Sequence, residues 1–134
     1  MLRIGITSRA LFDLDSSHSI FENEGLDAYK NYQVLNENLP LKPGQAFGLV
    51  KKLLNLNIKF KEKKLVEVIL LSRNTADTGL RVFNSIQHHG LDIKKAAFCG
   101  GNSPHIYAKS FGAHLFLSTE FQDCKSSIEN GIAS

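Results

Sequence analysis

Apolar runs and helix-spaced patterns alternate along this chain, and the alternation predicts its elements. Leu2 to Thr7 is a short aliphatic run that reads as a first strand, with apolar residues carrying it on as far as Leu14. Residues 26–36 set Leu26, Tyr29, Tyr32 and Val34 along a short helix. Leu39-Pro40-Leu41-Lys42-Pro43-Gly44 is a rigid turn. A second helix over residues 45–57 carries Phe47, Val50, Leu53, Leu54 and Leu56. Val66 to Leu71 is continuously aliphatic apart from Glu67, as a strand covered on both faces requires. The helix after it places Leu80, Phe83 and Ile86 on its inner side and stops before Gly90. Ala96 to Cys99 is a third strand, followed by Gly100-Gly101 and a helix with Ser103 as its cap and Pro104 at its first position. Residues 114–117 form a fourth strand, residues 120–129 a last helix, and Gly131-Ile132-Ala133-Ser134 the start of a further strand.

Strands alternating with helices predict an α/β fold: a three-layer, Rossmann-like, mostly parallel sheet. Residues 16–43 lack a strand signal and read as a small helical insertion after the first strand, over the sheet edge. Nothing marks an internal repeat or a linker, so residues 1–134 form one domain.

The predicted strands end in small or polar residues, which meet at one carboxyl edge. They are Asp13 and Asp15, then Ser72, then Gly100-Gly101, then Ser118-Thr119-Glu120. Carboxylates, a helix-capping hydroxyl and a glycine turn at such an edge suit magnesium and phosphate. Asp13 is the candidate nucleophile or metal ligand, and Asp15 the candidate acid/base and a further magnesium ligand. Ser72 and Arg73 suit a phosphate, although Ser72 serves equally as a helix cap. Lys109 suits phosphate neutralisation or plain solvation. Glu120 adds a hard-cation ligand, whereas Asp123 reads better as the acid that complements its helix dipole. Tyr29, Tyr32 and Gln33, with Asn36 and Glu37, make a polar-aromatic face for a nucleobase or for core packing. His88 and His89 sit at a helix end, His105 lies near the glycine turn, and His114 opens an apolar strand and reads as packed.

Composition narrows the partners. A chain of 134 residues, 43% hydrophobic and 22% charged, is long enough to bury a core. Its net charge of +3 owes much to Lys59, Lys61, Lys63 and Lys64, without the aromatic ladder of a nucleic-acid groove. No segment is long and apolar enough to span a membrane, and the start lacks a signal-peptide apolar core. Cys99 and Cys124 stand far apart, without metal-ligand spacing, as reduced thiols of a cytoplasmic protein do. A phosphorelay receiver would end its third strand in Asp, where this chain has Gly100-Gly101.

Several motifs together resemble one family. They are residues 7–14 (Thr-Ser-Arg-Ala-Leu-Phe-Asp-Leu), Tyr32-Gln33 with Asn36-Glu37, and residues 40–47 (Pro-Leu-Lys-Pro-Gly-Gln-Ala-Phe). Leu71-Ser72-Arg73-Asn74, residues 76–86, Gly100-Gly101-Asn102-Ser103-Pro104 and His114-Leu115-Phe116-Leu117-Ser118 complete the series. In this order they resemble the cytosolic 5'-nucleotidase type I family of the haloacid-dehalogenase-like superfamily. The resemblance implies magnesium-dependent hydrolysis of nucleoside 5'-monophosphates through an aspartyl-phosphate. In that superfamily a strand-end Asp attacks, an Asp two residues later is the acid/base, and a Ser or Thr ends the second motif strand. Matched residue by residue, this carries over to Asp13, Asp15 and Ser72. The family's Pro-Lys pair is met near Ser103-Pro104 and its paired acids near Ser118-Thr119, so the metal end is altered. The resemblance also covers only the family's N-terminal half. The alternative it implies is a non-catalytic half serving nucleotide binding, folding or dimerisation, as a homo-oligomer or beside a separate C-terminal half.

Overall fold

The computed structural model describes residues 1–134, apart from the side chain of Asp77. Its centre is a parallel four-stranded sheet of β1 (Leu2–Thr7), β4 (Val66–Ser72), β5 (Lys95–Phe98) and β6 (Leu115–Leu117), in the order β5-β4-β1-β6. All seven residues of β4 are buried, as its aliphatic run requires. Beyond β6, Ala133 bridges Leu115 in parallel and its carbonyl accepts the Phe116 N–H at 2.8 Å. The further strand expected at the chain's last residues is therefore present as a single bridge.

The sheet separates two helical layers, so the three-layer expectation holds. Ile4, Ile6, Val68 and Leu70 face α4 (Phe47–Lys59) and α5 (Ala76–His88), meeting Phe47, Val50, Leu54, Val82 and Ile86. On the opposite face, Ile69, Leu71 and Phe116 pack with Ala108 of α6 (His105–Ser110) and with Ile132. Helix α7 (Phe121–Glu129) packs against α6 on that side. Among the described residues, no helix is long and apolar enough to cross a membrane.

The first strand ends earlier than its apolar run suggests. Thr7 caps a four-residue helix, α1 (Ser8–Leu11), its Oγ1 accepting the Ala10 N–H at 3.3 Å. A hydroxyl able to cap outweighs the apolar character of Ala10 and Leu11, both of which stay buried. The chain then forms β2 (Phe12–Asp13), paired antiparallel with β3 (Lys42–Pro43). Asp13 thus lies on a small two-stranded flap and not at the end of the central sheet.

Between β2 and β3 stand α2 (Asp15–Glu24) and α3 (Leu26–Leu35), the expected helical insertion. Gly25 joins them at φ 91°, a conformation that favours glycine. Gly44 closes the flap: its N–H donates to Leu11 O at 2.9 Å, and a Cβ there would stand 2.7 Å from the Phe12 carbonyl carbon.

Three local expectations are corrected. Leu80 is 41% exposed, and the inner face of α5 instead carries Arg81, Val82, Ser85 and Ile86. The polar members of that face meet the insertion's unpaired backbone: Arg81 Nε donates to Leu39 O and Leu41 N–H donates to Ser85 Oγ, each at 2.9 Å. His114 is exposed, with Nδ1 accepting the Arg3 N–H at 2.9 Å, because β6 begins one residue later. Pro104, not Ser103, holds the cap position of α6, since the Ser103 hydroxyl is engaged elsewhere.

Candidate functional site

A cavity of about 630 Å³ opens where the sheet's chain order reverses, between the carboxyl ends of β1 and β6. Such switch points are where open α/β sheets hold ligands, and the volume suits a small molecule. Thr7, Ser8 and Arg9 line it after β1, Arg73, Asn74 and Thr75 after β4, Gly100 and Gly101 after β5, and Ser118, Thr119 and Glu120 after β6. Of the strand-end residues expected to converge, Gly100, Gly101, Ser118, Thr119 and Glu120 line this cavity, whereas Asp13, Asp15 and Ser72 do not. Helices α2 and α3 form the cover with His18, Phe21, Leu26, Tyr29 and Lys30.

Ser72 lies beneath this floor, fully buried. Its Oγ stands 3.2 Å from Ser8 Oγ and accepts the Asn74 N–H at 3.2 Å, tying the start of α1 to the end of β4. Arg73 lines the cavity, yet its guanidinium is already engaged. Nη2 donates to both Asp123 carboxylate oxygens at 2.6 Å, and Nη1 donates to Gly101 O at 3.3 Å. Asp123 is only 3% exposed and also accepts from Ser103 Oγ at 3.2 Å. It is the buried partner of an ion pair, a role its place in the first turn of α7 did not disclose. Beneath the pair, burial pushes the Cys99 thiol above its ordinary value; Arg73 pulls it down and Asp123 pushes it up.

Gly100 and Gly101, at φ 59° and 91°, make the turn after β5, and the Gly101 N–H donates to Arg73 O at 2.9 Å. The first turn of α5 also borders the cavity through Asn74, Thr75 and Thr78, bringing the positive end of a 13-residue helix to it. Arg9 adds a full positive charge.

Arg9 also borders a second, polar cavity of about 620 Å³, which Asp13, Asp15 and Glu120 share with Pro43, Gly44 and Gln45. The structure thus brings the three candidate metal ligands to one space. Asp13 Oδ1 accepts the Asp15 N–H at 3.0 Å, the local turn bond that an Asp-x-Asp pair can make without any metal. Asp15 is 81% exposed at its side chain and lies 3.7 Å from the Arg9 guanidinium. Carboxylate oxygens are the right donors for magnesium. However, among the described residues no three of His, Cys, Asp or Glu stand close enough to hold an ion. With the Arg9 guanidinium beside Asp15 as well, this arrangement does not fit a magnesium ion.

Tyr32, Asn36 and Glu37 line neither cavity. The Arg81 guanidinium lies over the Tyr32 ring at 5.7 Å, Asn36 Nδ2 donates to Tyr32 O, and Glu37 O accepts from Asn84 Nδ2. They fasten the insertion to α5. Lys109 is exposed on α6 and also lines neither cavity. The face of α3 that reaches the site is Leu26, Tyr29 and Lys30, at i, i+3 and i+4. Of these only Tyr29 was a sequence candidate, and Thr7, Ser8, Arg9, His18 and Phe21 were missed. A short amphipathic helix of modest polarity contrast does not disclose which side meets a sheet edge.

Four strand ends beneath a two-helix cover define an α/β domain with a roofed ligand site at its switch point. Hydroxyls, a helix N-terminus and the Arg9 cation at that point can hold an anionic group. A model of the 5'-nucleotidase family matches residues 1–134, and the chain belongs to that family. It is 36% identical over 138 residues to cytosolic 5'-nucleotidase 1B of Homo sapiens, a match that covers 99% of this chain. The chain spans 23% of that relative's length. No solved structure matches.

Proposed function

We propose that this chain is the nucleotide-binding part of a 5'-nucleotidase and takes a nucleoside 5'-monophosphate in the switch-point cavity. The phosphate lies against Arg9, the Thr7 and Ser8 hydroxyls and the first turn of α5. In the family's reaction, water cleaves the phosphoester to nucleoside and inorganic phosphate. The carboxylates for that step come from outside these residues, in a further segment or a second chain. One observation carries this reading: β1 ends in Thr7, with Arg9 two residues later. The resembled superfamily sets its attacking Asp at a strand end and the acid/base Asp two residues later. Asp13 and Asp15, which the motif match chose, lie on and after the flap, whereas with β1 ending at Thr7 those places fall on Thr7 and Arg9. A hydroxyl and a guanidinium there bind a phosphate but cannot form an aspartyl-phosphate. The two free thiols accord with a reducing, cytoplasmic setting.

A second reading, magnesium-dependent hydrolysis by this chain alone with Asp13 as nucleophile and Asp15 as acid/base, draws on Asp13, Asp15 and Glu120 lining one cavity. Phosphate release from AMP, with and without magnesium, separates the two. We expect AMP to raise the melting temperature while no phosphate is released. Magnesium-dependent release that disappears in Asp13→Asn would overturn the first reading in favour of the second.

A further inference from the structure

We propose that Phe21 and Tyr29 form a stacking wall for the nucleobase, so that the site selects nucleotides over sugar phosphates while tolerating different bases. This rests on the cavity's taking a nucleoside monophosphate, as proposed above.

Hydroxyls, Arg9 and the α5 terminus come to the cavity from the sheet edge, whereas Leu14, Phe21, Leu26 and Tyr29, beside His18 and Lys30, come to it from the insertion and the residue that leads into it. Phe21 is 45% and Leu26 52% exposed, and both line this open cavity. Phe21 and Tyr29 meet edge to face, with centroids 6.0 Å apart, and the His18 ring stacks on Phe21 at 6.2 Å. The rings therefore do not cover each other's faces fully.

Tyr29 is also held in place. Its hydroxyl donates to Asn74 Oδ1 at 2.5 Å and accepts from Gln33 Nε2 at 3.3 Å. Gln33, 1% exposed, accepts in turn from Ser17 Oγ at 3.2 Å and from Arg81 Nη1 at 3.1 Å through Oε1. This buried polar chain runs from α5 through the insertion to the end of β4 and consumes the phenol's hydrogen-bonding capacity. What Tyr29 offers a ligand is its ring. A wall of that kind recognises the face of a base, and every base has one.

The test is equilibrium binding of AMP, CMP, ribose 5-phosphate and inorganic phosphate to the full chain, to Phe21→Ala and to Phe21→Tyr. AMP and CMP should bind about tenfold or more tighter than ribose 5-phosphate. Phe21→Ala should abolish that margin and leave ribose 5-phosphate unchanged, while Phe21→Tyr keeps the margin. Ribose 5-phosphate binding as tightly as AMP would overturn the wall and leave the phosphate site standing. Equal weakening of all four ligands by Phe21→Ala would also overturn it. If no phosphate compound binds at all, the functional reading fails together with the wall.

Discussion

Nη2 of Arg73 lies 2.6 Å from both carboxylate oxygens of Asp123, joining the end of β4 to the first turn of α7 in the lining of the cavity. The partners are unequally buried, at 46% exposure for the Arg73 side chain and 5% for that of Asp123. Arg73→Ala strands a buried carboxylate, whereas Asp123→Ala leaves a guanidinium that can turn to water. We therefore expect Arg73→Ala to cost about 3 kcal/mol and Asp123→Ala about half that. Urea melts of the two variants decide it, and a larger cost for Asp123→Ala would contradict the asymmetry.

Two glycines four residues apart should respond oppositely to alanine. At Gly44 a Cβ would press on the Phe12 backbone and on Ala10 O, at 2.7 to 2.9 Å, where the flap meets α1. Backbone cannot swing away, so Gly44→Ala should destabilise by about 2 kcal/mol. At exposed Gly48, within α4, a Cβ meets nothing within 4 Å. Gly48→Ala should stabilise by up to about 1 kcal/mol through helix propensity. Thermal melts of both variants check the pair of signs.

Cys99 predicts an alkaline loss of stability. Burial first, and Asp123 after it, raise its thiol above the ordinary 9.0, partly offset by Arg73. The unfolded chain thus loses this proton before the folded one does. Any contribution is flat below about pH 9, and stability falls as pH rises from there through the folded value. Denaturant melts at pH 8 and pH 10 should show a smaller fall for Cys99→Ala than for the wild type. Equal falls would show that the thiol plays no part.

The insertion supplies a control on the site itself. Tyr32 lies beneath Arg81 and outside both cavities. Tyr32→Ala should cost stability, about 1 kcal/mol or somewhat more, yet leave AMP affinity unchanged. A selective loss of AMP binding in a folded Tyr32→Ala chain would return that residue to the site.

The fold was legible because its signals are strong and local. The unbroken run at Val66 to Leu71 leaves little alternative to a buried strand, and β4 is one. The strand ends at Gly100-Gly101 and Ser118-Thr119 pointed to a common cavity, and they share it. The site was less legible where a short-range bond overrides hydrophobic pattern. Thr7 capping α1 ends the first strand before the apolar run ends, which moves Asp13 from the sheet edge to the flap. Asp123 gave no sign of its partner, because Arg73 is fifty residues away in sequence. Tyr29 and Tyr32 are indistinguishable by spacing, and only the packing of α3 on α5 assigns one to the cavity and the other to the seam.

The central claim is that Arg9 and the strand-end hydroxyls, rather than a metal held by Asp13 and Asp15, receive the phosphate. A titration of AMP in metal-free buffer tests it most directly, using the wild type, Arg9→Gln and Asp13→Asn. AMP should bind without magnesium, about tenfold or more weaker in Arg9→Gln through loss of a charge-assisted contact, and unchanged in Asp13→Asn. Binding that appears only with magnesium and vanishes in Asp13→Asn would contradict it.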